Sequence, residues 1–164
     1  MDTVHPLAQV ALIGAGATAL MDAWLMLLRR LGVRTLDFAL VGRWAGHLLR
    51  GTLVHPAIAR AQPITGELAL GWLIHYAVGV AFAGLLVGSQ GVAWMQQPSV
   101  LPALAVGVGT VVMPLFVMQP AMGAGFAGSR TPAPLKNSLR SLANHAVFGL
   151  GLYLAARLLA GLSH

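Results

Sequence analysis

The stretch that decides the fold is Leu68–Leu86, LALGWLIHYAVGVAFAGLL, with Glu67 directly before it. It approaches the length of about 20 apolar residues that crosses a bilayer as a helix. Residues four apart share one helix face, so the stretch predicts a membrane helix with a small, polar face directed at other helices. That face consists of Glu67, Gly71, His75, Gly79 and Ala83.

The composition of the whole chain agrees with membrane insertion. Of the 164 residues, 57% are hydrophobic and 9% are charged, whereas soluble domains carry about 25% charged residues. The net charge is +6, and because the arginines lie between apolar runs, they predict topology and not nucleic-acid binding. Cysteine is absent, which excludes disulfides and thiolate metal sites.

We therefore predict an all-α membrane protein, a bundle of four transmembrane helices with an amphipathic interfacial helix between the first two spans. The first apolar run has no preceding basic residue and no cleavage site, so we predict a retained membrane helix and not a signal peptide. Thr35 is the candidate N-cap of the interfacial helix, and Pro114 should kink the third span. The single membrane domain, 1–164, has spans at about 7–28, 67–88, 100–122 and 139–161 and the interfacial helix at about 36–50.

Basic residues predict the orientation of the chain. They concentrate in the first and third loops, whereas the second loop has no charge. The positive-inside rule then places the basic loops in the cytoplasm and both termini in the periplasm. The residues expected to set topology and contact lipid headgroups are Arg29, Arg30, Arg43, Arg50, Arg130 and Lys136.

Three segments resemble a family of small bacterial inner-membrane proteins with four predicted spans, which is known as a domain of unknown function. They are Leu36–Trp44, Phe116–Gly123 and His145–Gly149, and the Met-Gln-Pro-Ala-Met-Gly run of the second is the most specific. The resemblance covers nearly the whole chain. It implies a bacterial inner membrane and four helices, and it transfers no catalytic residue.

Counting depth along the helices predicts one polar layer in the cytoplasmic half. At a rise of about 1.5 Å per residue, Asp22 lies about 10 Å before Arg29, and His75 lies about 12 Å beyond Glu67. Ionisable groups in hydrocarbon should face inward and meet partners. The predicted layer, which would line a ligand site or ion pathway, contains Asp22, His75, Met118, Gln119 and His145.

This layer allows several interpretations. It could hold the helices in register and do nothing else. It could bind a transition-metal ion through Asp22, His75 and His145, with methionine favouring a soft metal, or the same groups could relay protons. Alternatively, His75 and His145 could be the axial ligands of a b-type haem, with Gly79 and Gly149 leaving room for the macrocycle.

The remaining interpretation is a non-catalytic membrane subunit or scaffold. Small-residue stripes pack helices within one chain or between chains, so a homodimer or a larger complex in the bilayer is compatible with the sequence. Soluble-enzyme motifs are missing, and an enzyme is therefore the less expected class. Glu67 is expected to favour a helix N-terminus, and His47 and His55 are expected to be solvated near the interface.

A weak internal repeat relates the two halves of the chain. His75 and Gly79 in the second span match His145 and Gly149 in the fourth, and Thr18 in the first span corresponds to a threonine in the third. Two helical hairpins of the same orientation would be related by a pseudo-two-fold axis along the membrane normal.

Overall fold

The computed structural model describes residues 5–162, and this part of the chain is helical and contains no strand. Four helices in it are long and apolar enough to cross a membrane, which confirms the predicted all-α membrane fold. The protein is therefore a multi-pass integral membrane protein in contact with lipid. The four spans are Pro6–Arg30, Glu67–Gln90, Val100–Ala121 and Pro134–Leu162.

We number the α-helices in chain order. Short 3-10 segments occur at Ile58–Arg60, Val92–Met95 and Phe126–Gly128. The helices are α1 (Pro6–Arg30), α2 (Phe38–Leu48), α3 (Glu67–Gln90), α4 (Val100–Gly109), α5 (Gln119–Ala121) and α6 (Pro134–Leu162).

Helix α2 is the predicted helix between the first two spans. Its N-cap is Asp37 and not Thr35, because the Asp37 carboxylate accepts a 2.9 Å hydrogen bond from the Ala39 amide. At the other end, Gly51 has a φ of +85°, a left-handed conformation that glycine adopts at little cost. The chain then continues as irregular backbone up to α3.

The third span changes its helical form halfway. Helix α4 ends at Gly109, and a π-helical segment follows at Met113–Met118. Pro114 has no amide hydrogen to continue the α-helical pattern, and the Leu115 amide bonds to the Val111 carbonyl at 3.2 Å. The change of helical form occurs at the proline for which the sequence predicts a kink, and the kink itself stays a prediction.

The chain forms two compact units. The first contains residues up to 34, residues 76–110 and residues from 144 onward, and the second contains residues 35–75 and 111–143. Helices α3 and α6 contribute residues to both. The first unit has an apolar core that includes Ile13, Ala17, Leu86, Phe148 and Leu152, and the buried apolar residues of the second include Phe38, Val41, Ile58, Leu115 and Ala121.

Glycines bring the helices of the first unit into backbone contact. A Cβ added to Gly14 would lie 2.5 Å from the Val80 Cα atom, and one added to Gly107 would lie 2.5 Å from the Gly149 Cα atom. Close approach through small residues is a common way for helices to associate in lipid. Gly14, Gly107 and Gly149 therefore pack against helices of the same chain.

Candidate functional site

Asp22 is hydrogen-bonded inside a membrane span of the first unit. The Tyr76 hydroxyl on α3 donates to Asp22 Oδ2 on α1 at 2.9 Å, and both side chains are half-buried. A second polar contact in this unit joins Trp24 Nε1 to Asn144 Oδ1 at 3.0 Å. A carboxylate within a span is costly unless it is satisfied by a partner, and the tyrosine hydroxyl is one such partner.

His145 is oriented by two groups of α4 and its C-cap. Its Nδ1 lies 3.1 Å from Thr110 Oγ1 and 3.2 Å from the Gly107 carbonyl oxygen, and the Thr110 hydroxyl itself donates to that carbonyl at 2.7 Å. Because the carbonyl only accepts, and the threonine proton is already used, Nδ1 carries the hydrogen in the neutral ring. The lone pair is then on Nε2, which is the nitrogen that would accept a relayed proton or bind a metal ion.

The structure removes the space on which the haem interpretation depended. A Cβ at Gly79 would overlap Thr18 Oγ1, so this position is filled by α1. A Cβ at Gly149 would lie 2.9 Å from the Ala103 carbonyl oxygen, so this position is filled by α4. These glycines serve helix packing, and neither leaves room for a macrocycle beside it.

The other three residues of the predicted layer belong to the second unit. The His75 ring packs against the Phe38 ring with a centroid distance of 4.4 Å. Trp72 lies on the same helix at a centroid distance of 5.7 Å from His75. Met118, at the end of the π-helical segment, and Gln119 are half-buried. The Gln119 Oε1 atom is buried and has no hydrogen-bond partner.

The predicted metal ligands gain no support from this geometry. Within residues 5–162, no group of three or more His, Cys, Asp or Glu side chains is placed to hold a metal ion. Asp22 and His145 lie in the first unit, whereas His75 lies in the second. The metal interpretation of these three residues therefore stays a prediction from the sequence.

The sequence did not predict the strongest polar contact of the second unit, between Arg43 on α2 and Glu67 on α3. Arg43 Nε and one terminal nitrogen donate to the two Glu67 oxygens at 2.9 and 2.7 Å, a bidentate geometry that is favourable for arginine and carboxylate. The hydrogen bond to Glu67 raises the pKa of Arg43 above its ordinary value. Instead of extending to headgroups, the Arg43 side chain is only 12% exposed.

Arg43 also satisfies the irregular backbone between α2 and α3. Its other terminal nitrogen lies 3.2 Å from the Ala61 carbonyl oxygen and 3.3 Å from that of Ala59. Glu67 accepts a 3.1 Å hydrogen bond from the Ile64 amide. The pair therefore ties the loop to the two helices. The sequence did contain a signal of close helix approach near this pair, because Gly42 precedes Arg43 and Gly71 lies four residues after Glu67.

The other residues expected to set topology are on the surface. All five are exposed, as headgroup contact requires, and they are Arg29, Arg30, Arg50, Arg130 and Lys136.

The structure corrects the expected environment of His55. Its side chain is buried, with 6% exposed, instead of solvated. The His55 amide donates to the Ala121 carbonyl at 2.8 Å, so the segment is docked on the end of α5. Gly123 permits this approach, because its φ is +94° and a Cβ there would overlap the Pro56 carbonyl. Nothing in the spacing of the sequence indicated this long-range contact.

His55 lies beside His47, and its ring nitrogens are unsatisfied. The two ring centroids are 5.0 Å apart with an interplanar angle of 84°. Neither Nδ1 nor Nε2 of His55 has a hydrogen-bond partner. In contrast, His47 Nε2 lies 2.9 Å from the Gln62 carbonyl oxygen and donates to it. The lone pair of neutral His47 is therefore on Nδ1.

Comparison with known proteins gives the family of the chain. Residues 11–159 match the family described as a protein of unknown function, DUF2938. The chain belongs to DUF2938. No curated protein and no solved structure matched the chain in the corresponding comparisons. The resemblance to a four-span family of unknown function is thus confirmed, and the chemistry of this DUF2938 protein has to be inferred from its own residues.

Proposed function

We propose that this DUF2938 protein handles protons in the bacterial inner membrane, with Asp22 as the proton carrier. The observation that carries the proposal is the 2.9 Å hydrogen bond from Tyr76 to Asp22 between two membrane spans. Ionisable residues inside spans are rare, and those that occur often belong to ion or proton pathways. Asp22 is the residue with which we expect the transported proton to bind and dissociate.

The chemistry of the pair supports reversible proton binding. A hydroxyl that donates to a carboxylate stabilises its ionised form without neutralising it. The hydrogen bond holds the Asp22 carboxylate between the two spans, and we propose that this carboxylate accepts the proton. We assign His145 Nε2 as a second acceptor in the same unit, because its Nδ1 is occupied by Thr110 and Gly107. His75, Met118 and Gln119 belong to the second unit, and their part in an ion pathway stays a prediction from the sequence.

Proton flux into liposomes tests this function. Purified protein is reconstituted into liposomes that enclose a pH-sensitive dye. A potassium gradient with valinomycin then drives proton entry. We expect Asp22→Asn to reduce the flux at least about tenfold, since the amide keeps the hydrogen bond but cannot carry a proton. Asp37→Asn is the matched control, because Asp37 lies outside the spans and asparagine caps a helix equally well.

The outcomes separate the interpretations. Wild-type flux no greater than that of empty liposomes, or unchanged flux in Asp22→Asn, would contradict proton handling. A Soret band in the purified protein that disappears in His75→Ala would instead establish the haem alternative. If no flux and no absorbance is found and Asp22→Asn lowers only the stability, the polar residues serve packing alone.

We further propose that both termini face the periplasm. The exposed arginines of the first and third loops support this orientation under the positive-inside rule. Because the chain has no cysteine, single cysteines report their side directly. In intact cells we expect a membrane-impermeant maleimide to label Ser99→Cys at the end of the second loop and not Arg130→Cys in the third. Labelling of Arg130→Cys alone would reverse the topology.

A further inference from the structure

We propose that His47 and His55 form a binding site for a first-row divalent transition-metal ion such as Zn²⁺ or Co²⁺. The site is independent of Asp22 and of the proposed proton function. It rests on two adjacent imidazoles, of which His55 is buried with both ring nitrogens unpartnered. A buried imidazole without a partner is costly, and a bound ligand would remove that cost.

The surroundings of His55 hold its backbone while leaving its ring available. The Ala121 carbonyl accepts from the His55 amide at 2.8 Å. Two residues before His55, the Leu53 carbonyl accepts a 2.8 Å hydrogen bond from Trp44 Nε1 on α2. The segment is thus attached to both α2 and α5, so a ligand would not have to order it on binding. Such preorganisation favours binding.

His47 is oriented in the way that is usual for a metal-binding histidine. Its Nε2 hydrogen is given to the Gln62 carbonyl at 2.9 Å, and metal-ligating histidines commonly donate their second ring nitrogen to a carbonyl or carboxylate. Its Nδ1 lone pair is then free for an ion. The hydrogen bond fixes both the tautomer and the orientation of the ring.

The ring separation fits two ligands of one ion. Two imidazoles bound to a tetrahedral ion with metal–nitrogen distances of about 2.0–2.1 Å have centroids about 5 Å apart. The separation of His47 and His55 is 5.0 Å. Nitrogen ligands of this kind suit zinc, cobalt, nickel and copper, in contrast to magnesium and calcium, which prefer oxygen.

The site is open, because His47 and His55 supply only two ligands. Among the described residues no third His, Cys, Asp or Glu completes a group. Water would occupy the rest of the coordination shell, as in zinc sites that exchange a ligand.

The test is a titration of the full-length protein, purified in detergent without a polyhistidine tag, with Co²⁺ alone. We expect one equivalent per chain to give visible ligand-field bands that Zn²⁺ abolishes by competition. His55→Ala and His47→Ala should each weaken binding at least about tenfold, since each removes one of two nitrogen ligands.

The controls are His75→Ala and His145→Ala, which should bind Co²⁺ as the wild type does. Because His55→Ala could unfold its segment, His47→Ala provides an independent test at a half-buried position. No Co²⁺ binding by the wild-type protein would overturn the site, and so would unchanged binding in His47→Ala. Loss of binding in His75→Ala or His145→Ala with retention in His47→Ala would place the metal elsewhere.

Discussion

The two units of this DUF2938 protein hold their helices together by different means. In the first unit, glycines let helix backbones touch, as at Gly107 and Gly149. The second unit uses the same close approach at Gly42 and adds the half-buried Arg43–Glu67 pair. The added charges lie beside the irregular backbone between α2 and α3. Carbonyls of this backbone need hydrogen-bond donors, because neither a helix nor lipid supplies them.

The largest effect is expected from a methyl group at the helix contacts of either unit. In Gly107→Ala the Cβ would lie 2.7 Å from the His145 carbonyl oxygen, and in Gly42→Ala it would overlap the Glu67 carbonyl. Overpacking against backbone that cannot yield should cost about 3 kcal/mol in each case. Thermal or denaturant unfolding in detergent measures it, and similar losses would show that both units depend on close approach.

Gly109→Ala is the matched control for Gly107→Ala. No atom lies within 4 Å of a Cβ at Gly109, which is also in α4. We expect this change to be neutral or to stabilise by up to about 1 kcal/mol, since alanine favours a helix over glycine. If Gly107→Ala were as well tolerated as Gly109→Ala, helix contact through glycine would not explain the first unit.

An intermediate effect is expected at the ion pair of the second unit. Arg43→Lys loses the bidentate geometry and the donors to the loop carbonyls, and Glu67→Gln loses the charge. Both changes should lower the melting temperature, and the double variant should lose less than the sum, because the partners interact directly. The exposed Arg50 offers the control, since Arg50→Lys should have no effect. Strict additivity would show that the pair contributes nothing.

The smallest effect is expected at the hydroxyl of Thr110. Thr110→Val removes the acceptor of the His145 Nδ1 hydrogen but leaves the Gly107 carbonyl. Hydrogen bonds between membrane helices contribute about 0.6 kcal/mol on average, and we expect a loss near that value. Unfolding measurements should therefore detect little, whereas imidazole NMR signals of His145 should shift. A loss as large as that of Gly107→Ala would give Thr110 a larger role than the geometry assigns.

The two hairpins also clarify the internal repeat. Gly79 meets α1 beside Thr18, and Gly149 meets α4 at Gly107. In each hairpin a threonine hydroxyl bonds to a glycine carbonyl, from Thr18 to Gly14 and from Thr110 to Gly107. The equivalent histidines differ, however, since His145 bonds to Thr110 whereas the His75 ring packs against Phe38. The repeat thus describes how the helices of the two hairpins pack.

The sequence predicted the fold because membrane insertion depends on local quantities. Runs of about 20 apolar residues, basic loops and an interior proline can each be read over a few turns of helix. The four spans, the helix between the first two and the interruption near Pro114 all follow from such patterns. The family resemblance is of the same kind, since it rests on contiguous segments.

The polar site was harder to predict, because depth along a helix does not determine which side chains meet. Depth counting grouped Asp22 with His75 and His145, and it did not include Tyr76, whose hydroxyl donates to Asp22. A tyrosine inside an apolar run has no periodic signal that distinguishes it from a packing residue. The rotation of each helix about its axis decides such contacts.

The amino-acid sequence by itself determined a four-span helical membrane protein, since burial in lipid requires long apolar helices whose backbone groups bond within each helix. Only the tertiary structure decided that Arg43 pairs with Glu67 and that His55 is buried beside His47. These contacts join residues that are distant in the chain or separated by irregular backbone. Their geometry depends on how glycine contacts and loop carbonyls position each element, which no local pattern records.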